Sequence, residues 1–267
     1  MQSPPKWAPP LSCIGTPAIL DESQRSRTPR LQVIDTVRIL ALETAVQPGS
    51  IALLESAQFV ARLDLAKDSR TTRSLMPAIH GQLVVLGWKV TDLELVAVSQ
   101  GPGSFTGLRV GVTVAKTLAY AVGAEVLGID TLEVIARQSI RSMNQSEPQS
   151  LWAIMDAHRQ QLFCAKYERD AQGGCQLTQP PHVIGIDTWL EQVHAGDVVS
   201  GPPVEKLRPR IHSQAILEDT ANFAPRATTV GELAAKAFQQ GRRDDLWGLI
   251  PKYLRQSAAE EHRAARA

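Results

Sequence analysis

The sequence predicts an α/β protein whose sheet contains parallel crossovers, and three observations carry that reading. First, three short apolar-rich runs, RILALET (38–44), SIALLES (50–56) and QFVARLDLA (58–66), are parted by brief breaks such as AVQPG, the pattern of an antiparallel meander. Second, these runs are followed by alternating helical and strand patterns, which require parallel strands joined by crossovers. Third, the second half also opens with strands, LWAIMDA and QQLFCAKYER, and continues as α/β, so the chain reads as two related lobes.

The elements follow in order. After polar KDSRTT, Leu75, Met76, Ile79, Leu83 and Leu86 recur at helical spacing, giving a helix over Arg73–Trp88 with Pro77 in its first turn. DLELVAVSQ predicts a buried strand near 94–99, and a helix over Thr106–Val122 follows the glycine-rich turn at 101–107. EVLGID (125–130) is a strand and TLEVIARQSI a helix; polar RSMNQSEPQS (141–150) is a loop or linker. Later, DVVSGPP reads as a strand and turn. TTVGELAAKAFQQGRR reads as a helix capped by Thr228 or Thr229, with Gly241 near its end. The expected organisation is one lobe over 38–140, a second over 151–255 and a flexible tail over 256–267. The proline-rich, charged first 37 residues read as a disordered leader, with translation starting at Val37 as the alternative. Pro9, Pro10 and Pro17 interrupt the only stretch that could serve as a signal peptide.

Composition removes several function classes. A formal charge of +1 over 267 residues argues against a broad basic face gripping nucleic acid unaided. Three cysteines (Cys13, Cys164 and Cys175) without a C-x-x-C read as free thiols of a reducing cytoplasm. There is no run of about 18 apolar residues to span a membrane. Lys206, Arg208, Arg210 and the pair Arg242–Arg243 read as solvated surface.

The stretch GPGSFTGLRVG (101–111) is the strongest local signal. It is not a Walker A loop, since no lysine follows Gly107. Its G-x-G-x-x-x-G spacing is one residue too long for a dinucleotide fingerprint. Ser104 has Pro102 and Thr106 where a G-x-S-x-G elbow needs glycines. Three readings stay open: a strand-to-helix connection capped by Ser104 or Thr106, a phosphate loop, and a partner-binding surface. In the following helix, Gly107, Gly111 and Ala115 form a small-residue stripe. Val110, Val114, Leu118 and Val122 form a second stripe, with Leu108 and Val112 between. Two interior glycines cost roughly 1 kcal/mol each relative to alanine, so close approach of another element should offset them. That element is either the lobe's own sheet or another subunit. Asp156 and His158 in MDAHRQQ read as a turn between strands rather than part of a triad.

RILALET…GSIAL, QGPGSFTGLRVGVTVAKTLA, GIDTLEVIA, AIMDAHRQQLFCA and PKYLR together resemble the bacterial TsaB family, from about Arg38 to Arg255. The resemblance implies an actin-like fold with two RNase H-like lobes. It also implies a non-catalytic subunit that works with the catalytic paralogue TsaD and the ATPase TsaE. That complex makes N6-threonylcarbamoyladenosine in tRNAs reading codons that start with A. On this view the chain has no cofactor of its own, ATP and Mg are used by the complex, and tRNA is met through the complex in the cytoplasm. Homodimers and heterodimers are both implied. The partner surface would lie on the first two helices, at Leu75, Met76, Ile79, His80, Leu83, Leu86, Gly107, Leu108, Val110, Gly111 and Val114. Gly111→Leu would then remove TsaD binding and leave the monomer folded. Glu43, Thr44, Gly101, Gly103, Ser104 and Thr106 would form a vestigial nucleotide loop. The family's first strand usually ends in Asp-Thr; Glu43-Thr44 adds a methylene, which misplaces inherited metal coordination. His80 alone cannot supply a metal-binding histidine pair. The alternative is an independent ATP-dependent small-molecule kinase on the same fold, using Glu43, Thr44 and the 101–107 loop on phosphates. A peptidase reading finds no nucleophile–base pair and no H-E-x-x-H.

Overall fold

The computed structural model describes residues 36–66, 71–140, 149–169, 174–218 and 223–255. The expected leader to residue 35, most of the 141–150 loop and the tail from 256 lie outside the described residues.

Ten strands and six helices are present among them, together with a short 3₁₀ turn at Val90–Asp92. β1 (Arg38–Glu43), β2 (Ser50–Glu55) and β3 (Gln58–Asp64) form the antiparallel meander, followed by α1 (Thr71–Leu86), β4 (Leu95–Gly101), α2 (Phe105–Val122), β5 (Glu125–Asp130) and α3 (Thr131–Ile140). The first sheet has the order β3-β2-β1-β4-β5, with β1, β4 and β5 parallel. β6 (Gln149–Asp156), β7 (Gln161–Arg169) and β8 (Cys175–Gly185) form a second antiparallel meander. α4 (Ile186–Gln192), β9 (Val198–Ser200), α5 (Val204–Leu207), β10 (Ile216–Leu217) and α6 (Ala227–Gln239) complete the chain. The second sheet runs β10-β9-β6-β7-β8, with β6, β9 and β10 parallel. The second order matches the first strand for strand, so the two lobes share one topology.

Burial explains the sequence pattern. β1 and β4 are buried at nearly every position and apolar through Ile39–Leu42 and Leu95–Val98, because helices cover both faces of their sheet. On one face, Leu75, Ile79 and Leu83 of α1 and Val112, Ala115 and Leu118 of α2 pack on Leu40, Leu42, Ile51 and Leu53. The opposite face, with Ile39, Ala41, Leu54, Leu95 and Ala97, is covered by Ala227, Val230, Ala234 and Ala235 of α6. Conversely, Leu132, Ile135, Ala136 and Ile140 of α3 pack on Leu151, Ala153, Met155 and Ala165 of the second sheet.

The lobes therefore exchange their last helices, and the division into 38–140 and 151–255 is crossed in both directions. Sequence order puts α3 with the first strands and α6 with the later ones, but each helix buries its apolar face on the other sheet. The exchange also changes how α6 is capped. Neither Thr228 nor Thr229 is its cap: Arg226 is the N-cap residue, without a side-chain cap bond. The Ser50 hydroxyl accepts from the Ala227 amide (3.1 Å), and Gln138 of α3 accepts from the Arg226 amide (2.8 Å). Two of the free amides of the helix start are thus satisfied from β2 and α3.

Candidate functional site

The 101–107 turn leaves the C-terminal end of β4 and opens α2. Ser104 is the helix cap, its hydroxyl accepting from the Gly107 amide at 3.2 Å. Its own amide donates to the Ala45 carbonyl at 2.8 Å. The β1–β2 connection lies across the turn: a Cβ at Gly103 would meet the Ala45 Cβ at 2.6 Å, and one at Gly107 would meet the Thr44 carbonyl oxygen at 2.0 Å. One turn on, a Cβ at Gly111 would lie 2.1 Å from Thr44 Oγ1. The glycine stripe therefore admits the chain's own Thr44. The close approach expected of another subunit at Gly107 and Gly111 is made within the lobe.

Glu43 is wholly buried, and its Oε1 accepts from the Ala45 amide at 2.6 Å. Burial pushes its carboxyl up to about 7, against the opposing pull of the Ser99 hydroxyl and the Ala45 and Val46 amides. Thr44 is buried as well, and its amide donates to Ser99 Oγ at 3.1 Å. The residues expected to form a nucleotide loop are brought together, but Glu43 and Thr44 face protein, and Thr106 stands exposed on α2.

A strap over residues 242–255 seals the other side of the turn. Gly101, at φ +126, has no room for a Cβ because the Lys252 carbonyl oxygen would lie 2.6 Å away. Lys252 donates its amide to the Gln100 carbonyl (2.8 Å), and Gln100 Nε2 donates to the Ile250 carbonyl (2.7 Å). Lys116 of α2 donates to the Trp247 and Leu249 carbonyls. Arg109 lies over the Phe105 ring at 3.8 Å and donates to Tyr253 Oη, while Tyr120 stacks on Trp247 with centroids 5.6 Å apart. The PKYLR signal is thus a clasp across α2 and the strand ends.

The apolar residues predicted for a partner surface divide by face. Leu75, Ile79 and Leu83 are buried in the lobe's own core, and so is Leu108. This corrects their reading as exposed contacts: the stripe at strict helical spacing is the one a helix turns inward. Leu86, Val110 and Val114 are half-buried; Met76 and His80 are exposed. Residues that sequence reasoning passed over are exposed too, namely Val84 and Val85 of α1, 62% and 77% exposed, and, beside the strap, Phe105 and Tyr120 of α2. Their signal was available, because two valines directly after Leu83 extend the apolar arc beyond one stripe.

The remaining candidates fall into structural places. Asp156 Oδ1 accepts from the His158 amide at 2.7 Å, and His158 has φ +59, which is a turn between β6 and β7. Cys164 and Cys175 form no disulfide with a described residue, and burial pushes Cys164 up to about 12. Arg208 pairs with Glu205, Arg210 with Asp187 and Arg242 with Asp244. Among the described residues, no group of three or more His, Cys, Asp or Glu is placed to hold a metal, and no helix is long and apolar enough to cross a membrane.

Two sheets of matching strand order, with the strand-end loops of the first closed by the chain itself, define an actin-like α/β protein. The family model for TsaD, tRNA N6-adenosine threonylcarbamoyltransferase, matches residues 68–263. The chain is 30% identical over 234 residues to the tRNA threonylcarbamoyladenosine biosynthesis protein TsaB of Bacillus subtilis, covering 83% of this chain and 96% of the relative. It is 27% identical over 227 residues to the TsaB of Escherichia coli, covering 84% and 96%. The solved YeaZ from Pseudomonas aeruginosa superimposes with a TM-score of 0.68 at 23% identity, covering 82% of this chain and all of that one. The chain belongs to the TsaB family.

Proposed function

We propose that this chain is a non-catalytic subunit of the machinery that makes N6-threonylcarbamoyladenosine in tRNA, and that it acts by binding and holding the competent state of a TsaD-type catalytic partner. The relatives' names supply the pathway. The observation that carries the scaffold role is the outer face of α1 and α2. Val84, Val85 and Met76 of α1 are exposed there, and Phe105 and Tyr120 of α2 are exposed beside the strap rings Tyr253 and Trp247, although the same helices bury a full inward stripe. An apolar face of this kind, on rigid helices, suits a protein partner. The filled turn at 101–107 supports the same reading, because its Ser104 and Gly107 amides are already used and the clearances at Gly103 and Gly107 are taken by Ala45 and Thr44. Threonylcarbamoyl transfer, ATP and Mg belong to the complex with TsaD and TsaE, and tRNA is engaged there.

The test is to place charge on that face. Val84→Glu with Val85→Glu should leave the chain folded, since both side chains are solvent-facing. It should weaken retention of TsaD in a pull-down by about thirtyfold or more, and tRNA modification by the reconstituted mixture should fall with it. Undiminished TsaD binding by the folded double variant would remove the proposal. So would ATP turnover by the isolated chain, the behaviour expected of a kinase.

A further inference from the structure

A cleft of about 470 Å³ is lined by Asp130 at the end of β5, Glu133 of α3, Tyr167 of β7, Leu177 of β8, Lys252 and Leu254 of the strap, and neighbours Cys175 and Pro181. That volume suits a small organic ligand. The polar groups lining it are incompletely used. Asp130 spends Oδ1 on the Leu132 and Glu133 amides, at 2.9 and 3.4 Å, and its other oxygen has no hydrogen bond to a described residue. Glu133 and Lys252 have no ion pair within 4 Å among the described residues, yet the Lys252 ammonium attracts both carboxylates across the cleft. Tyr167 is only 4% exposed, and its hydroxyl makes no hydrogen bond to a described residue. It lies within electrostatic reach of Asp130, Glu133 and Cys175, so the hydroxyl is turned into the cleft. The ring is buried while its hydroxyl opens to the cleft, where the acceptor of a ligand can take its hydrogen bond.

We propose that this cleft binds a small α-amino acid as its zwitterion. Asp130 and Glu133 hold the ammonium group, Lys252 holds the carboxylate, Tyr167 donates a hydrogen bond, and Leu177, Pro181 and Leu254 receive the side chain. The charge arrangement selects this class. Two carboxylates call for a cation, and the single ammonium at the rim disfavours a polyamine while offering a counter-charge to a carboxylate. Burial raises both Asp130 and Glu133, and their mutual repulsion adds to the rise at Glu133, so a bound ammonium relieves both. Burial and these carboxylates also push the Tyr167 phenol above its ordinary range, which keeps it a donor.

The experiment is a titration of the full chain with three matched probes, L-norvaline, n-butylamine and pentanoate, followed by amide chemical shifts. L-Norvaline should perturb residues around Asp130, Tyr167 and Lys252, while the probes lacking either charge should bind about tenfold more weakly or worse. Glu133→Gln and Lys252→Met should each weaken norvaline about tenfold. Tyr167→Phe should weaken it about threefold, with thermal melting unchanged because no protein hydrogen bond is lost. Three outcomes overturn the proposal: absence of norvaline shifts up to about 10 mM, equal binding of butylamine, or norvaline binding that is unaltered in Tyr167→Phe.

Discussion

Gly107→Ala is expected to destabilise the monomer by about 3 kcal/mol or more, although a glycine-to-alanine change inside a helix ordinarily stabilises by roughly 1 kcal/mol. The reversal follows from what the missing Cβ would meet. At Gly107 it would lie 2.0 Å from the Thr44 backbone oxygen, and no rotamer change can move that atom. Gly111→Ala meets Thr44 Oγ1 at 2.1 Å instead, and the Thr44 Cβ lies at 3.2 Å, a tight contact that a small shift relieves. Thr44→Ala should therefore rescue Gly111→Ala and fail to rescue Gly107→Ala. Urea unfolding of the two single and two double variants measures this directly. Equal rescue at both sites would mean that the β1–β2 connection yields, and that the glycines are not needed for its approach. The same clearance reverses the expectation from sequence for Gly111→Leu, which should unfold the lobe rather than spare it.

The second large effect belongs to Glu43. Its carboxyl has an ordinary value of 4.5 and sits near 7 in the folded chain because it is buried. Between these pH values the folded chain keeps a proton that the unfolded chain has released, so raising the pH through the window costs stability. The cost accumulates to about 3 kcal/mol and levels off above pH 7. Glu43→Gln keeps the acceptor for the Ala45 amide and removes the buried charge. It should be more stable than the parent at pH 8 by an amount of that order and converge with it near pH 4.5. Denaturation midpoints across pH 4 to 8 decide it, and parallel profiles for parent and variant would contradict the assignment.

How much was legible depended on whether the signal was local. The first meander and the β6–β7 pair were, because buried strands read as dense apolar runs, as in RILALE and SIALLE. β8 was missed: CQLTQPPHVIG is polar and carries Pro180 and Pro181, residues that a strand tolerates only at a sheet edge, where β8 lies with its register shifted. The helix exchange was illegible, because an apolar stripe such as Val230–Ala234 states that a helix is covered without stating by which sheet. At the turn, the glycine spacing announced a close approach, but Thr44 is some sixty residues upstream and carries no mark of being the occupant. On α1 the spacing found the stripe facing inward, whereas two further apolar residues, Val84 and Val85, were left exposed beside it.

The exchange of α3 and α6 bears on synthesis. A nascent polypeptide released only as far as Ile140 would hold its first sheet with Ile39, Leu54 and Leu95 bare on one side. That side is not closed until Ala227–Gln239 leaves the ribosome, so the half made first is finished last. A transcript cut short before this point encodes no self-sufficient half, only an adhesive one.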